Sequence, residues 1–139
     1  MPLVSILAAA GMKIAGSEAF AYSRLLPALF AVVLPPATAA LAFRLHRRYD
    51  LAALSGLLAL FSGFYLPFIS LTDSFSTVML LGLCFLAVLA AAEQKPPPFR
   101  LSNISLLLGA LCGLMHLARA DGFLWLFLAL AFFWRQSAG

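Results

Sequence analysis

The chain has 139 residues, of which 64% are hydrophobic and 10% charged, and its formal net charge is +4. A soluble domain of this length has too much surface for its volume to hide that much apolar side chain, so the expected solvent is the lipid bilayer. The positive balance does not point to nucleic acid, because the basic residues lack aromatic interleaving and match no nucleic-acid motif.

The first apolar run, Pro2–Ala15, is too short to cross a bilayer comfortably. Its Leu3, Ile6, Leu7 and Ile14 fall on one helical stripe, which predicts an interfacial helix within residues 1–16. No basic residue precedes this run, which argues against a cleaved signal peptide.

Crossing about 30 Å of hydrocarbon takes roughly 20 helical residues. Four runs approach that length, 25–43, 51–71, 75–92 and 101–118, and a shorter fifth covers 123–134. The predicted fold class is therefore all-α: a polytopic transmembrane helix bundle of about five spans plus the interfacial helix. It forms one membrane-embedded segment with no soluble domain. Pro27, Pro35, Pro36 and Pro67 are expected to kink or interrupt their helices unless neighbours satisfy the freed carbonyls. Gly109 and Gly113 form a small-xxx-small pair, and Ser55/Ser62 and Gly56/Gly63 repeat at seven residues. Both patterns predict close helix–helix approach. The prolines of "KPPPF", residues 95–99, predict an extended connector. Cys84 and Cys112 lie inside apolar spans without metal-site spacing, so both are expected to be buried thiols.

Positive charge sets the expected orientation. With the N-terminus outside, Arg44, Arg47, Arg48, Lys95, Arg100 and Arg135 fall on the cytoplasmic side, against Lys13, Arg24 and Arg119 outside. The "RLHRR" cluster carries most of that asymmetry. This places Glu18, Asp73 and Asp121 in the outer compartment. The expected setting is a multi-pass protein of a bacterial inner (plasma) membrane.

Three polar stretches carry candidate chemistry, each with a structural alternative. In "ISLTDSFST", residues 69–77, Thr72 or Asp73 can cap the following helix. The functional reading makes Asp73 a carboxylate that binds a divalent cation, or a donor phosphate through one. In "ARADG", Gly122 can permit a tight bend with Arg119 and Asp121 simply wetted. Alternatively, Arg119 grips a phosphate through its planar fork of donors. His116, one turn earlier, is expected to be a hydrogen-bonded packing residue rather than a ligand. Glu18 and Arg24 flank the first span, too far apart along a helix to pair without a bend, and Tyr22 suits an aromatic belt. No catalytic triad, phosphate loop, dinucleotide turn or Cys/His metal spacing is present.

The order of these features is similar to that in the polytopic GT-C glycosyltransferases, the protein-O-mannosyltransferase and aminoarabinose-transferase branches included. The stretches that carry the resemblance are "SEAFAYSRLLPALF", "RLHRRYD", "SLTDSF" and "LARADG". It implies an enzyme that takes a sugar from a polyprenyl-phosphate carrier at the outer membrane face. "SEAFAYSRLLPALF" resembles the stretch after the family's first outer loop, with Glu18 and Arg24 at its pattern positions. "SLTDSF" matches the second acidic motif, which makes Asp73 the candidate contact for a metal or the donor phosphate. "LARADG" resembles the outer turn that carries a basic residue near that phosphate, so Arg119 inherits the role with Asp121 beside it. The family's principal acidic residue, thought to be the catalytic base, would lie before Met1. The resemblance therefore implies a fragment or half of a split protein, inactive without the remainder of a larger membrane enzyme.

The rival reading is a non-enzymatic membrane subunit or transporter component. An ion-coupled transporter places ionisable residues near mid-bilayer. Here the apolar spans contain no Asp, Glu, Lys or Arg, and the charges gather at their ends.

Overall fold

The computed structural model describes residues 2–61, 74–94 and 101–137. The second half of the 51–71 run, Ser62, Gly63, Pro67, Thr72, Asp73, the "KPPPF" connector and Arg100 lie outside those residues. Six α-helices occur among the described residues: α1 (Pro2–Ala15), α2 (Leu25–His46), α3 (Tyr49–Leu60), α4 (Phe75–Gln94), α5 (Leu101–Ala118) and α6 (Leu124–Ser137). Two 3-10 turns, Phe20–Arg24 and Ala120–Phe123, lead into α2 and α6, and no strand occurs among the described residues.

α1 stops at Gly16, whose φ of 65° suits a residue without a Cβ. The Gly16 amide donates to the Lys13 carbonyl and the Ser17 amide to that of Met12, both at 3.2 Å. These two bonds satisfy carbonyls that a helix end otherwise leaves orphaned. The chain then folds back along α1. A Cβ at Gly11 would lie 2.6 Å from the Tyr22 carbonyl oxygen, so a glycine is what lets the 3-10 turn settle against the helix.

α2 continues through Pro35 and Pro36, which sit inside its 22 residues, while Pro27 occupies its first turn. Of the two outcomes expected for these prolines, an interruption does not occur in α2. The Thr38 hydroxyl donates to the Leu34 carbonyl at 2.8 Å. α2 ends on Arg47, which adopts a left-handed φ of 55° and donates its amide to the Phe43 carbonyl at 2.8 Å. α3 then returns along α2. A Cβ on Gly56 would approach Ala39 Cβ at 3.1 Å and the Pro35 carbonyl oxygen at 3.3 Å, so the glycine in this pair does support close packing.

α4, α5 and α6 enclose the hydrophobic core, built from Phe85, Leu108, Leu111, Cys112 and Ala129. Trp125 lies edge-on to Phe85 with ring centroids 5.3 Å apart, and Gly82 gives its indole room, because a Cβ there would lie 3.1 Å from the ring. At one end of this group Arg119 lies over the Phe75 ring, and at the other Arg135 pairs with Glu93 at 2.8 Å. α4 and α6 therefore run parallel, with α5 antiparallel between them.

Two expectations about side chains are corrected. Gly109 and Gly113 are exposed, and a Cβ at either meets nothing within 4 Å. The small-xxx-small pair of α5 faces away from every described helix. Cys112 is buried, but Cys84 is exposed.

The outer surface is apolar. Val32 is 72% exposed, Leu106 75% and Phe127 62%, among many large hydrophobic side chains turned outward. Two helices, Phe20–His46 and Phe75–Glu93, are long and apolar enough to cross a membrane, with mean hydropathies of 2.0 and 2.4.

Candidate functional site

The turn between α5 and α6 is held by short-range bonds. The Arg119 amide donates to the Met115 carbonyl at 2.8 Å, and the Gly122 amide to the Arg119 carbonyl at 3.0 Å. A Cβ on Gly122 would fall 2.4–2.5 Å from the backbone of Met115 and His116. Gly122 does not adopt a positive φ, a conformation found among the described glycines only at Gly16. Its contribution is thus close approach rather than the permissive bend expected of it. The turn is pressed onto the last turn of α5, and that contact sets where Arg119 emerges.

Arg119 is bound on two sides. Its Nε donates to Asp121 Oδ1 at 3.1 Å, and the guanidinium carbon lies 4.7 Å from the centroid of the Phe75 ring. A guanidinium carries five N–H donors. Asp121 engages one, Phe75 covers a face, and the side chain remains only 30% exposed. The remaining N–H donors find no acceptor among the described residues, so the fork is oriented yet still able to bind. An aromatic face adds roughly 0.5–2 kcal/mol to such an arrangement and fixes the plane of the donors.

Arg119 and Asp121 stand at a cavity of about 490 Å³ between α2, α4 and α6. Its wall is otherwise apolar apart from Thr38, with Leu34, Phe75, Val78, Met79 and Trp125 prominent. The result is a hydrocarbon-like chamber with one cation at its charged edge. That combination suits an amphiphile carrying an anionic head and an apolar tail.

The other sequence candidates separate from this site. His116 is exposed and does not line the cavity, and among the described residues its side chain makes no hydrogen bond, against the expectation of a bonded packing residue. Arg24 turns back over the Phe20 ring at 5.3 Å and leaves its buried Nε without an acceptor. Glu18 is exposed and lines a second cavity of about 690 Å³ with Lys13. Glu18 and Arg24 form no ion pair, although a 3-10 bend separates them. Asp73 lies outside the described residues. Phe75, two positions after it, is the residue that Arg119 covers, so the chain enters α4 at the edge of this cavity. Among the described residues, no three His, Cys, Asp or Glu side chains gather in a group able to hold a metal ion.

Sequence reasoning selected Arg119 and Asp121 but missed Phe75 and Trp125. Nothing in a linear apolar pattern marks which aromatic lies against a charge 44 positions away. At the opposite end, Arg48 clasps Asp50 through two hydrogen bonds, one from Nε at 3.1 Å. The Arg48 guanidinium holds the Asp50 carboxyl below the ordinary value of 3.8.

No family model matches this chain, and no curated protein or solved structure is significantly similar to it.

Proposed function

We propose that this chain is a membrane-embedded segment of a GT-C type glycosyltransferase that uses a polyprenyl-phosphate-linked sugar at the outer membrane face. The observation that carries the reading is Arg119: a guanidinium oriented by Asp121 and Phe75, with donors that no described residue engages, at the edge of an apolar cavity. The many outward apolar side chains and the two long apolar helices support membrane association. The multi-pass arrangement, with the Arg119 turn and the start of α4 in the outer leaflet, rests on the apolar runs and the distribution of basic residues in the sequence.

The chemistry follows from charge. An acceptor hydroxyl loses its proton to a carboxylate and attacks the anomeric carbon. The bond from that carbon to the lipid-phosphate oxygen breaks, and negative charge grows on the departing phosphate. A positioned cation in a water-poor site stabilises that charge more than it stabilises the ground state. Arg119 takes this role, Asp121 positions it, and the cavity wall receives the start of the prenyl chain. Asp73, as the acidic-motif residue of the resemblance, would hold a divalent cation if one takes part, and Arg119 would share the compensation of charge with it. We assign the carboxylate base to no residue of this chain.

The test is binding of polyprenyl phosphate to the purified chain, read by native mass spectrometry. Losing a hydrogen bond to a charged group costs about 2 kcal/mol, so Arg119→Ala should weaken binding roughly 30-fold. Arg119→Lys keeps the charge but loses the fork, and should recover only part of the loss. Asp73→Asn should weaken binding if the α4 entry also faces the phosphate. Equal affinity of wild type and Arg119→Ala would reject the site. A membrane-inserted wild type that binds no polyprenyl phosphate favours a non-enzymatic membrane subunit.

A further inference from the structure

The α2–α3 turn gathers charge that the proposed reaction does not use. Arg44, His46, Arg47 and Arg48 fall within five residues, and all are exposed. Asp50 forms its ion pair with Arg48. Among the described residues Arg44 and Arg47 make no ion pair, so the turn keeps a net positive charge. Apolar side chains adjoin them in the same turn: the Phe43 and Tyr49 rings lie 4.6 Å apart, Tyr49 is 80% exposed, and Leu45 is 48% exposed. Exposed aromatic and aliphatic side chains interspersed with cations suit a bilayer surface, apolar inward and anionic outward.

The backbone adds an independent observation. Arg47 closes α2 at φ 55°, the only positive φ of a non-glycine residue among those described. Glycine is the usual occupant of this position, and an L side chain there is strained. The helix end would close as well or better without a side chain. What the arginine adds is a guanidinium.

We propose that the α2–α3 turn is a binding surface for anionic phospholipid headgroups, with Arg44 and Arg47 as the phosphate-contacting residues and Phe43, Leu45 and Tyr49 set into the acyl boundary. This rests on the membrane reading given above, but not on the glycosyltransferase chemistry. Arg48 contributes little, since Asp50 already neutralises it.

The experiment reconstitutes the purified chain into vesicles of phosphatidylcholine and phosphatidylglycerol, checks insertion by flotation, and counts retained lipids by native mass spectrometry. Each basic residue near an anionic surface is worth about fivefold in affinity. Arg44→Gln and Arg47→Gly should each lower phosphatidylglycerol retention about fivefold, and the double variant about 25-fold. Arg48→Gln combined with Asp50→Asn should leave retention within about twofold, since it removes a neutral pair. Arg47→Gly separates binding from folding: its thermal midpoint should equal or exceed that of wild type while its lipid selectivity falls. A chain that floats but retains phosphatidylcholine as well as phosphatidylglycerol overturns this inference alone, as does undiminished selectivity in Arg47→Gly. A wild-type chain that fails to float overturns the membrane reading and this inference with it.

Discussion

Replacing Gly122 with alanine adds one methyl group at the point where the α5–α6 turn meets the α5 backbone. That methyl would sit 2.4 Å from the Met115 carbonyl carbon and 2.5 Å from its oxygen and from the His116 nitrogen. Ordinary van der Waals contact begins near 3.4 Å, so the turn must retreat by about 1 Å from atoms that cannot rotate away. Overpacking of this kind costs about 1–3 kcal/mol, and contact with backbone on all three atoms places Gly122→Ala near the upper end. The same Met115 carbonyl accepts the Arg119 amide, so the displacement also strains a bond worth about 1 kcal/mol. We expect about 3 kcal/mol lower unfolding free energy, measured by reversible titration from mild detergent into SDS. Arg119 should lose its seat on Phe75, and polyprenyl-phosphate affinity should fall with it. Gly109→Ala and Gly113→Ala are the comparison, because a Cβ at either position enters open space. There alanine should stabilise α5 by about 0.5–1 kcal/mol through helix propensity. A Gly122→Ala protein within about 0.5 kcal/mol of wild type would refute the close-approach argument.

Two further outcomes follow from the ends of the bundle. Asp50 has its carboxyl pKa lowered by Arg48, so its contribution to stability is present at neutral pH, persists above the unfolded value near 3.8, and disappears as pH falls through the lower folded value. The stability gap between wild type and Asp50→Asn, followed across an acid titration, should therefore close only below that value; a gap that closes well above it would contradict the assignment. In a variant lacking Cys84 and Cys112, a cysteine at the exposed Ala120 of the same turn should react with an impermeant outer-face reagent while one at His46 should not. The opposite pattern would invert the orientation and remove the Arg119 turn from the outer leaflet.

Much of the helical layout was legible because length and apolar continuity determine it. Pro2–Ala15 forms as expected, the 25–43 run extends to His46, and the 75–92 run reaches Gln94. The last helix starts at Leu124 because Ala120–Phe123 winds as a 3-10 turn first. Of the expected spans, Phe20–His46 and Phe75–Glu93 meet the length and hydropathy needed to cross. What the sequence could not convey was which face has a neighbour. Gly56 and Gly109 look alike in a small-residue pattern, yet one lies against Ala39 and the other faces outward. The pairing of Arg135 with Glu93 across 42 residues, and of Arg119 with Phe75, depends on tertiary placement that no local period encodes. Arg119 itself was legible for a simple reason: a guanidinium between two apolar runs needs an explanation wherever the chain puts it.

Consecutive prolines at positions 35 and 36 give α2 a mechanical character that its continuous winding conceals. Proline has no amide hydrogen, so the carbonyls of Ala31 and Val32 lack the donor that would ordinarily bind them from four residues onward. Two neighbouring rungs of the ladder are missing between Ala31 and Pro36, a stretch that includes Leu34 of the cavity wall. Bending a helix normally stretches its hydrogen bonds, whereas here there are two fewer to stretch. The Thr38 hydroxyl, anchored on the Leu34 carbonyl, spans the weak point like a strap. The consequence is local: with two rungs fewer, the α2 side of the chamber resists bending less than the α4 side, which is packed on the Phe85 core.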